Sequence, residues 1–388
     1  MTMASAEDLA TVLKSTNGRL IVNVSPDAIG HTIGEIDNFM RMKLTGEYDA
    51  ERPSFFFCED FGERLATMQR LFGEKIFDNW VISEYGGFLA GVVANAYPDL
   101  TVDVGISSFK IAPPRGREPI HWEPPRFFRM RYRDMYTDHL MYHRRFVATS
   151  DRYPYDEMVE CSEQVDAFIG AKGAKVAAVQ IKDVISTGNA TAVQGEEYEP
   201  ALALLKDAGY RLVLVGRERM PESWAKFGVV DYANSPIASF ENDFRVMKRA
   251  DVGLVGASGI SLFLELFDKP LVHVNTKMPA TPPWGRKCIY VPSLFTLNAD
   301  GRTPTLLEHL QYNLTSGIGY NPAERTPFPP TPAQIAEAVH EMLTLAGDPT
   351  LPLTERQRKY KSLDPHGCVG FSSSRISDSF LRDHEQLL

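Results

Sequence analysis

The run Gly256-Ala257-Ser258-Gly259-Ile260-Ser261 lies between the apolar segment Asp251-Val-Gly-Leu-Val255 and an apolar stretch, Ser261 to Phe267, that Pro270 closes off. Small residues let a ligand approach the backbone closely. The first N–H groups of a helix and the positive end of its dipole favour an anion. Ser258 and Ser261 add hydroxyl donors, and Glu265, one turn on, is placed to accept from a ribose or sugar hydroxyl. The alternative is a tight strand–helix turn that binds nothing. The strand–loop–helix–strand setting favours the binding reading, because open α/β sheets take their ligands at the carboxyl ends of strands.

Three further groups have residue types suited to the same chemistry. Gly30-His31-Thr32-Ile33-Gly34-Glu35 reads as a loop between a strand and a helix. Its glycine spacing is not a dinucleotide fingerprint and it lacks the Walker lysine. Gly30 and Gly34 are candidate substrate contacts. His31 and Glu35 are the catalytic candidates, a histidine there having the ordinary pKa of a general base. The alternative for His31 is that it caps the helix. Lys182 and Asp183 follow the apolar run Lys175-Val-Ala-Ala-Val-Gln-Ile181, and Gly216-Arg217 follows Arg211-Leu-Val-Leu-Val215. A lysine and an arginine at strand ends suit a phosphate, although such side chains are also commonly just solvated. Arg126-Phe-Phe-Arg-Met-Arg-Tyr-Arg133 reads as an amphipathic strand with one solvated face.

The elements that must hold these residues alternate along the chain. Arg19 to Val24 and Ser54 to Cys58 read as buried strands, with helices over Ile33 to Leu44 and Glu63 to Phe72. Residues 110–150 form an irregular insertion ending in a helix near Asp134 to Phe146. Gly170-Ala-Lys-Gly173 marks the boundary between an N-terminal domain (1–170) and a C-terminal domain (171–345). In the second domain, strands at 175–181, 211–215, 229–232, 251–255 and 271–275 alternate with helices at 196–208, 240–249 and 261–267. This order predicts a parallel sheet wound by crossovers. Thr331-Pro332 opens a further helix with threonine as N-cap and proline in the first turn. Ile376, Phe380 and Leu381 predict a docking helix in a C-terminal tail (346–388).

Composition narrows the class. With 388 residues, two domains are expected. A hydrophobic share of 44% and a charged share of 23% are those of a globular chain. A net charge of -9 disfavours nucleic acid and anionic membrane as partners. The four cysteines show no CxxC spacing, so reduced thiols and no metal site are expected. The N-terminus does not read as a signal peptide, and no apolar run reaches the ~18 residues of a spanning helix. A cytoplasmic location follows as the expectation, with the sequons at Asn189 and Asn313 coincidental.

Several runs carry a resemblance. Val230-Asp-Tyr-Ala-Asn-Ser235, Ala250-Asp-Val-Gly-Leu-Val-Gly-Ala-Ser-Gly259, Asp268-Lys-Pro-Leu-Val-His-Val-Asn275, the helix Pro332 to Met342 and the terminal Arg375-Ile-Ser-Asp-Ser-Phe-Leu381 are similar to a family of bacterial GT-B-type glycosyltransferases. Ile29-Gly-His31 resembles a short element of the same group. The likeness covers much of 170–345. It implies two facing Rossmann-like domains with a cleft between them. The nucleotide sugar would bind the second domain and an unknown acceptor the first, with no metal and no other cofactor. The chain departs from the family at Gln180-Ile181-Lys182-Asp183, where a His-x-Arg-Asp run is usual, and in the insertion. Two rivals stay open: a nucleotide-sugar epimerase or hydrolase on the same fold, and a non-catalytic nucleotide-binding relative.

Overall fold

The computed structural model describes residues 6–22, 29–58, 63–82, 92–94, 96–104, 139–149, 151–152, 155–182, 193–256, 258–276, 280–316 and 323–388. It divides into two compact units, Met1–Asp151 and Arg152–Leu388. The boundary expected at 170 thus lies two short helices upstream. Helices Tyr155–Met158 and Glu163–Ile169 pack with the second unit, with Val159, Val165 and Ile169 buried. Lys248 donates to the carbonyl of Val159 at 2.7 Å. The tail 346–388 also belongs to this unit.

The first unit is built on a four-stranded parallel sheet of β1 (Arg19–Val22), β2 (Ser54–Cys58), β3 (Asn79–Ile82) and β4 (Thr101–Asp103), in the order β3-β2-β1-β4. Helix α1 (Ala6–Ser15) buries Leu9 and Leu13 against Leu20 and Phe55. Helix α2 (Ile29–Thr45) brings Phe39 onto Phe77, which stacks in turn on Phe56 at 4.3 Å. Helix α3 (Glu63–Ile76) follows β2. Residues 139–148 are helical and are clamped to α2. Arg41 Nε donates to Asp37 at 2.6 Å and its Nη1 to Thr149 at 2.6 Å. Tyr142 also donates to Asp37, and the Arg41 guanidinium lies 3.7 Å over the Phe146 ring. The arginine-rich stretch 126–133 lies outside the described residues.

The second unit carries a seven-stranded, wholly parallel sheet, ordered β13-β10-β9-β8-β5-β6-β7. Its strands are β5 (Val176–Gln180), β6 (Arg211–Leu214), β7 (Val230–Asp231), β8 (Val252–Gly256), β9 (Leu271–Thr276), β10 (Cys288–Pro292) and β13 (Arg375–Ile376). β11 (Leu294–Leu297) and β12 (Arg325–Phe328) form a separate antiparallel pair. The apolar runs β5, β8 and β10 are buried along their whole length, as a sheet covered on both faces requires. The helices Glu199–Asp207 and Pro332–Gly347 bury Leu202, Leu205, Ile335, Val339 and Met342 in one core. Thr331 caps the second of these, accepting from the Gln334 N–H at 3.3 Å. The expected docking helix is present at Asp378–Asp383, with Phe380 and Leu381 in the core, and β13 just before it extends the sheet at its edge. An α/β chain of parallel sheets is therefore what the alternation predicted. Among the described residues no helix is long and apolar enough to cross a membrane.

Candidate functional site

Chain order fixes where a ligand site is expected in the larger sheet. From β5 the chain moves to β6 and β7 on one side, then returns across β5 to β8 and continues to β9 and β10 on the other. The direction of winding reverses between β5 and β8, and doubly wound sheets bind ligands at that point, outside the strand carboxyl ends. Gln180, Lys182 and the 256–261 loop converge there.

Gln180 ends β5 and is 1% exposed. Its Oε1 accepts from the Gly256 N–H at 3.0 Å, and its Nε2 donates to the Ile181 carbonyl. A Cβ on Gly256 would come 3.4 Å from Gln180 Oε1 and 3.5 Å from both Lys182 Cβ and the Tyr198 hydroxyl. Gly216, at φ +103°, lies on the other flank, where a Cβ would stand 3.2 Å from Gln180 Cγ and 3.1 Å from a Glu218 carboxylate oxygen. The floor of the crevice is thus packed to contact, and the two glycines are what let the loops close over it.

Beyond the floor the loop departs from a long-helix anion site. The helix after it runs only from Ser261 to Leu266, without a side-chain N-cap. The Ser261 hydroxyl donates to the loop's own Ser258 carbonyl at 2.8 Å and is buried. Expected as a ligand donor, it instead braces the turn. Among the described residues the N–H groups of Ser258, Gly259 and Ile260 have no partner. Gly259 is exposed and Ser258 half-buried. Glu265 also has a different task from the ribose contact expected of it. It is 2% exposed, and its Oε2 accepts from the N–H groups of Trp284 at 2.8 Å and Gly285 at 2.7 Å. That carboxylate ties the β9–β10 loop to the helix behind the glycine loop.

A row of charged and polar side chains crosses the strand ends. Lys182 is half-buried, and burial lowers its pKa while the Glu218 carboxylate raises it. His273, in mid β9, is held down to about 4 by burial and then by the Lys182 cation, so it is neutral at pH 7. Its Nδ1 lies 2.8 Å from the Thr276 hydroxyl. Arg217 is exposed, and its N–H donates to Glu218 at 3.1 Å. Burial raises the Asp243 carboxyl to about 7, against the hydrogen bond from Tyr232 at 3.0 Å and the Arg217 cation, which lower it. Asp183 and Ala257 lie outside the described residues.

Sequence reasoning passed over Glu218, Asp243 and His273. Glu218 directly follows the strand-end Arg217, and that adjacency is its signal in the sequence. His273 shows as a polar residue between Val272 and Val274 in an otherwise apolar run. Asp243 gave none, since it is one of several acids on a helix (Phe240–Arg249).

In the first unit, the loop expected at 30–35 is helix. α2 begins at Ile29, so Gly30 and His31 occupy its first turn, and Gly34 and Glu35 its second. The buried face of the helix extends further toward its start than the apolar periodicity showed. Thr32 to Met40 are buried without a break, and Glu35 has no exposed surface. The His31 side chain lies outside the described residues.

No protein-family model matches the chain, and no curated protein matches its sequence. Among solved structures it is similar to an E. coli heptosyltransferase with ADP-2-deoxy-2-fluoro heptose, at 14% identity and a TM-score of 0.37, covering 70% of this chain and 91% of that one. It is also similar to E. coli ADP-heptose LPS heptosyltransferase II, at 12% identity and TM-score 0.40, covering 85% and 99%. A third is the Methanocaldococcus jannaschii UDP-GlcNAc 2-epimerase in complex with UDP-GlcNAc and UDP, at 13% identity and TM-score 0.30, covering 85% and 99%.

Proposed function

We propose that the second unit binds the diphosphate of a nucleotide sugar at the β5/β8 crevice, and that the chain is a glycosyltransferase acting on an acceptor hydroxyl. One observation carries the reading: at the winding reversal Gly256 lies against Lys182, its Cβ position 3.5 Å from Lys182 Cβ, and just after it the N–H groups of Ser258, Gly259 and Ile260 have no partner among the described residues. Backbone N–H groups and a partly desolvated ammonium are the donors that stabilise a leaving diphosphate without a metal. Arg217 adds a planar cation on the neighbouring strand end.

In the reaction so read, the sugar's anomeric C–O bond to the diphosphate breaks and a bond to the acceptor oxygen forms. The acceptor proton passes to a general base. The nucleoside diphosphate leaves with its added negative charge on the loop N–H groups and Lys182. The test is calorimetric titration with UDP, ADP and GDP and their glucose conjugates, followed by turnover assays with mixed acceptors. Absence of binding by every nucleotide would refute the reading. Conversion of a nucleotide sugar with no acceptor present would replace transfer by epimerisation or hydrolysis.

A further inference from the structure

The other end of the crevice, on β9, holds a residue that none of the chemistry above uses. Asn275 is 1% exposed, yet its Oδ1 is buried with no hydrogen-bond partner. Its backbone is left-handed, at φ +60°. Asparagine tolerates that region better than most residues, but it is still uncommon in a strand.

The strand register explains how it comes to be there. β9 pairs with β10 as Val274 with Val291, and then as Thr276 with Pro292. Asn275 is the extra residue of a β-bulge. On its other side, Val274 pairs with Gly256, so Asn275 stands one residue beyond the level at which the glycine loop leaves β8. Bulges beside sites turn a side chain away from the alternation of the strand.

The segment 283–285, between β9 and β10, is held from two directions. Glu265 binds the N–H groups of Trp284 and Gly285, and Ser372 Oγ donates to the Pro283 carbonyl at 3.1 Å. Residues 283–285 are therefore tied both to the helix behind the glycine loop and to the C-terminal segment. A buried acceptor left without a donor is costly, and native chains rarely keep one without a use.

We infer that Asn275 is a specificity-determining residue, whose Oδ1 accepts a hydrogen bond from a hydroxyl of the sugar carried by the diphosphate on the 256–261 loop. The inference rests on the nucleotide-sugar reading. A carbonyl oxygen repels phosphate, so among the parts of such a ligand it suits one that donates, and its place next to the loop favours the group attached directly to the diphosphate.

The experiment compares wild type with Asn275→Gly, a change that keeps the left-handed backbone. Dissociation constants are measured for UDP against UDP-glucose and for ADP against ADP-glucose. In wild type the sugar is expected to strengthen binding, and in Asn275→Gly that gain should fall on the order of tenfold while binding of the bare diphosphate is unchanged. Both ligands weakening equally, or an unchanged gain, overturns the inference and leaves nucleotide binding intact. If no nucleotide binds wild type, the functional reading fails and the inference falls with it. The empty proteins provide a check without ligand: Tm of the variant should stay within about 2 °C of wild type. A larger fall would mean that Oδ1 is bonded within the chain, which also overturns the assignment.

Discussion

Gln180 and Gly256 end adjacent parallel strands and are joined by a hydrogen bond from the Gly256 N–H to Gln180 Oε1 at 3.0 Å. This is the contact at which the sheet reverses its winding. A side-chain amide therefore takes the Gly256 N–H, while among the described residues the N–H groups of Ser258, Gly259 and Ile260 have no partner. Gln180 is thus a buried side chain that serves the loop's backbone. Gln180→Ala removes the acceptor and leaves a buried N–H unpaired. The expected cost is about 1–3 kcal/mol, read from urea denaturation, together with weaker binding of nucleoside diphosphates. Stability and binding both unchanged would show that the loop does not depend on this bond.

Gly216 tests the same floor from the opposite flank. Its φ of +103° is one that side chains rarely adopt, and a Cβ would approach Glu218 and Gln180 to 3.1 and 3.2 Å. Gly216→Ala should lose on the order of 1–3 kcal/mol of stability. Glu218 has room to swing away, whereas Gln180 is held at both ends of its amide. A Gly216→Ala, Gln180→Ala double variant should therefore lose less than the sum of the single losses.

Lys182 supplies the charge test. Its pKa is lowered by burial, which makes its ammonium less hydrated and its pairing with phosphate more favourable. Lys182→Ala should weaken binding of ADP or UDP on the order of tenfold or more, with little change in Tm for the empty protein. Lys182→Arg should restore part of the affinity. The cation next to His273 is also removed by Lys182→Ala, so the His273 pKa, followed by NMR, should rise from its value of about 4. An unmoved His273 resonance would place Lys182 away from the site.

Much of this was legible in the sequence, for identifiable reasons. Strands such as Val252–Gly256 are continuous apolar runs bounded by glycine and polar residues, and Phe240–Arg249 carries its own Ser239 N-cap, so both elements are written locally. The parallel winding follows from their alternation, whereas the strand order and the reversal between β5 and β8 do not. The sequence pattern starts helix α2 late, because Gly30 and Gly34 suggest a loop and only the tertiary burial of its first turns makes them helical. The roles of Ser261 and Glu265 could not be read. Each is spent on a backbone group, and for Glu265 the partners are some twenty residues away. The bulge at Asn275 depends on the register of β10, which no local pattern in β9 encodes.

The first unit offers a test independent of any ligand. Asp37 and Arg41 are each 1% exposed and form an ion pair at 2.6 Å, to which Tyr142 and Thr149 add hydrogen bonds. Removing one partner of such a pair leaves the other charge buried and uncompensated, at about 3–5 kcal/mol. Arg41→Met should destabilise the protein by that amount in chemical denaturation and release residues 139–148 to faster hydrogen exchange. Arg41→Met with Asp37→Asn removes both charges and should recover a substantial part of the loss. Equal losses in the single and double variants would mean that the packing of Arg41 over Phe146 matters more than its charge.

Asp243 predicts a pH dependence with a definite sign. Its pKa is raised from 3.8 to about 7, chiefly by burial beside Tyr232. Between those values the unfolded chain has lost this proton and the folded chain retains it. Folding therefore binds a proton there, and the contribution to stability, complete below the unfolded value, is lost as pH rises through about 7. His273 and His309, both lowered to about 4, act in the opposite sense, removing stability as pH falls from about 6.5 toward 4. The comparison must therefore be made against a variant rather than read from wild type alone. Asp243→Asn removes the titration and keeps an acceptor for the Tyr232 hydroxyl. Between pH 5 and pH 8, wild type should lose stability relative to Asp243→Asn. Parallel stability curves for the two proteins over that range would mean that Asp243 is ionised throughout, with the Arg217 cation outweighing its burial.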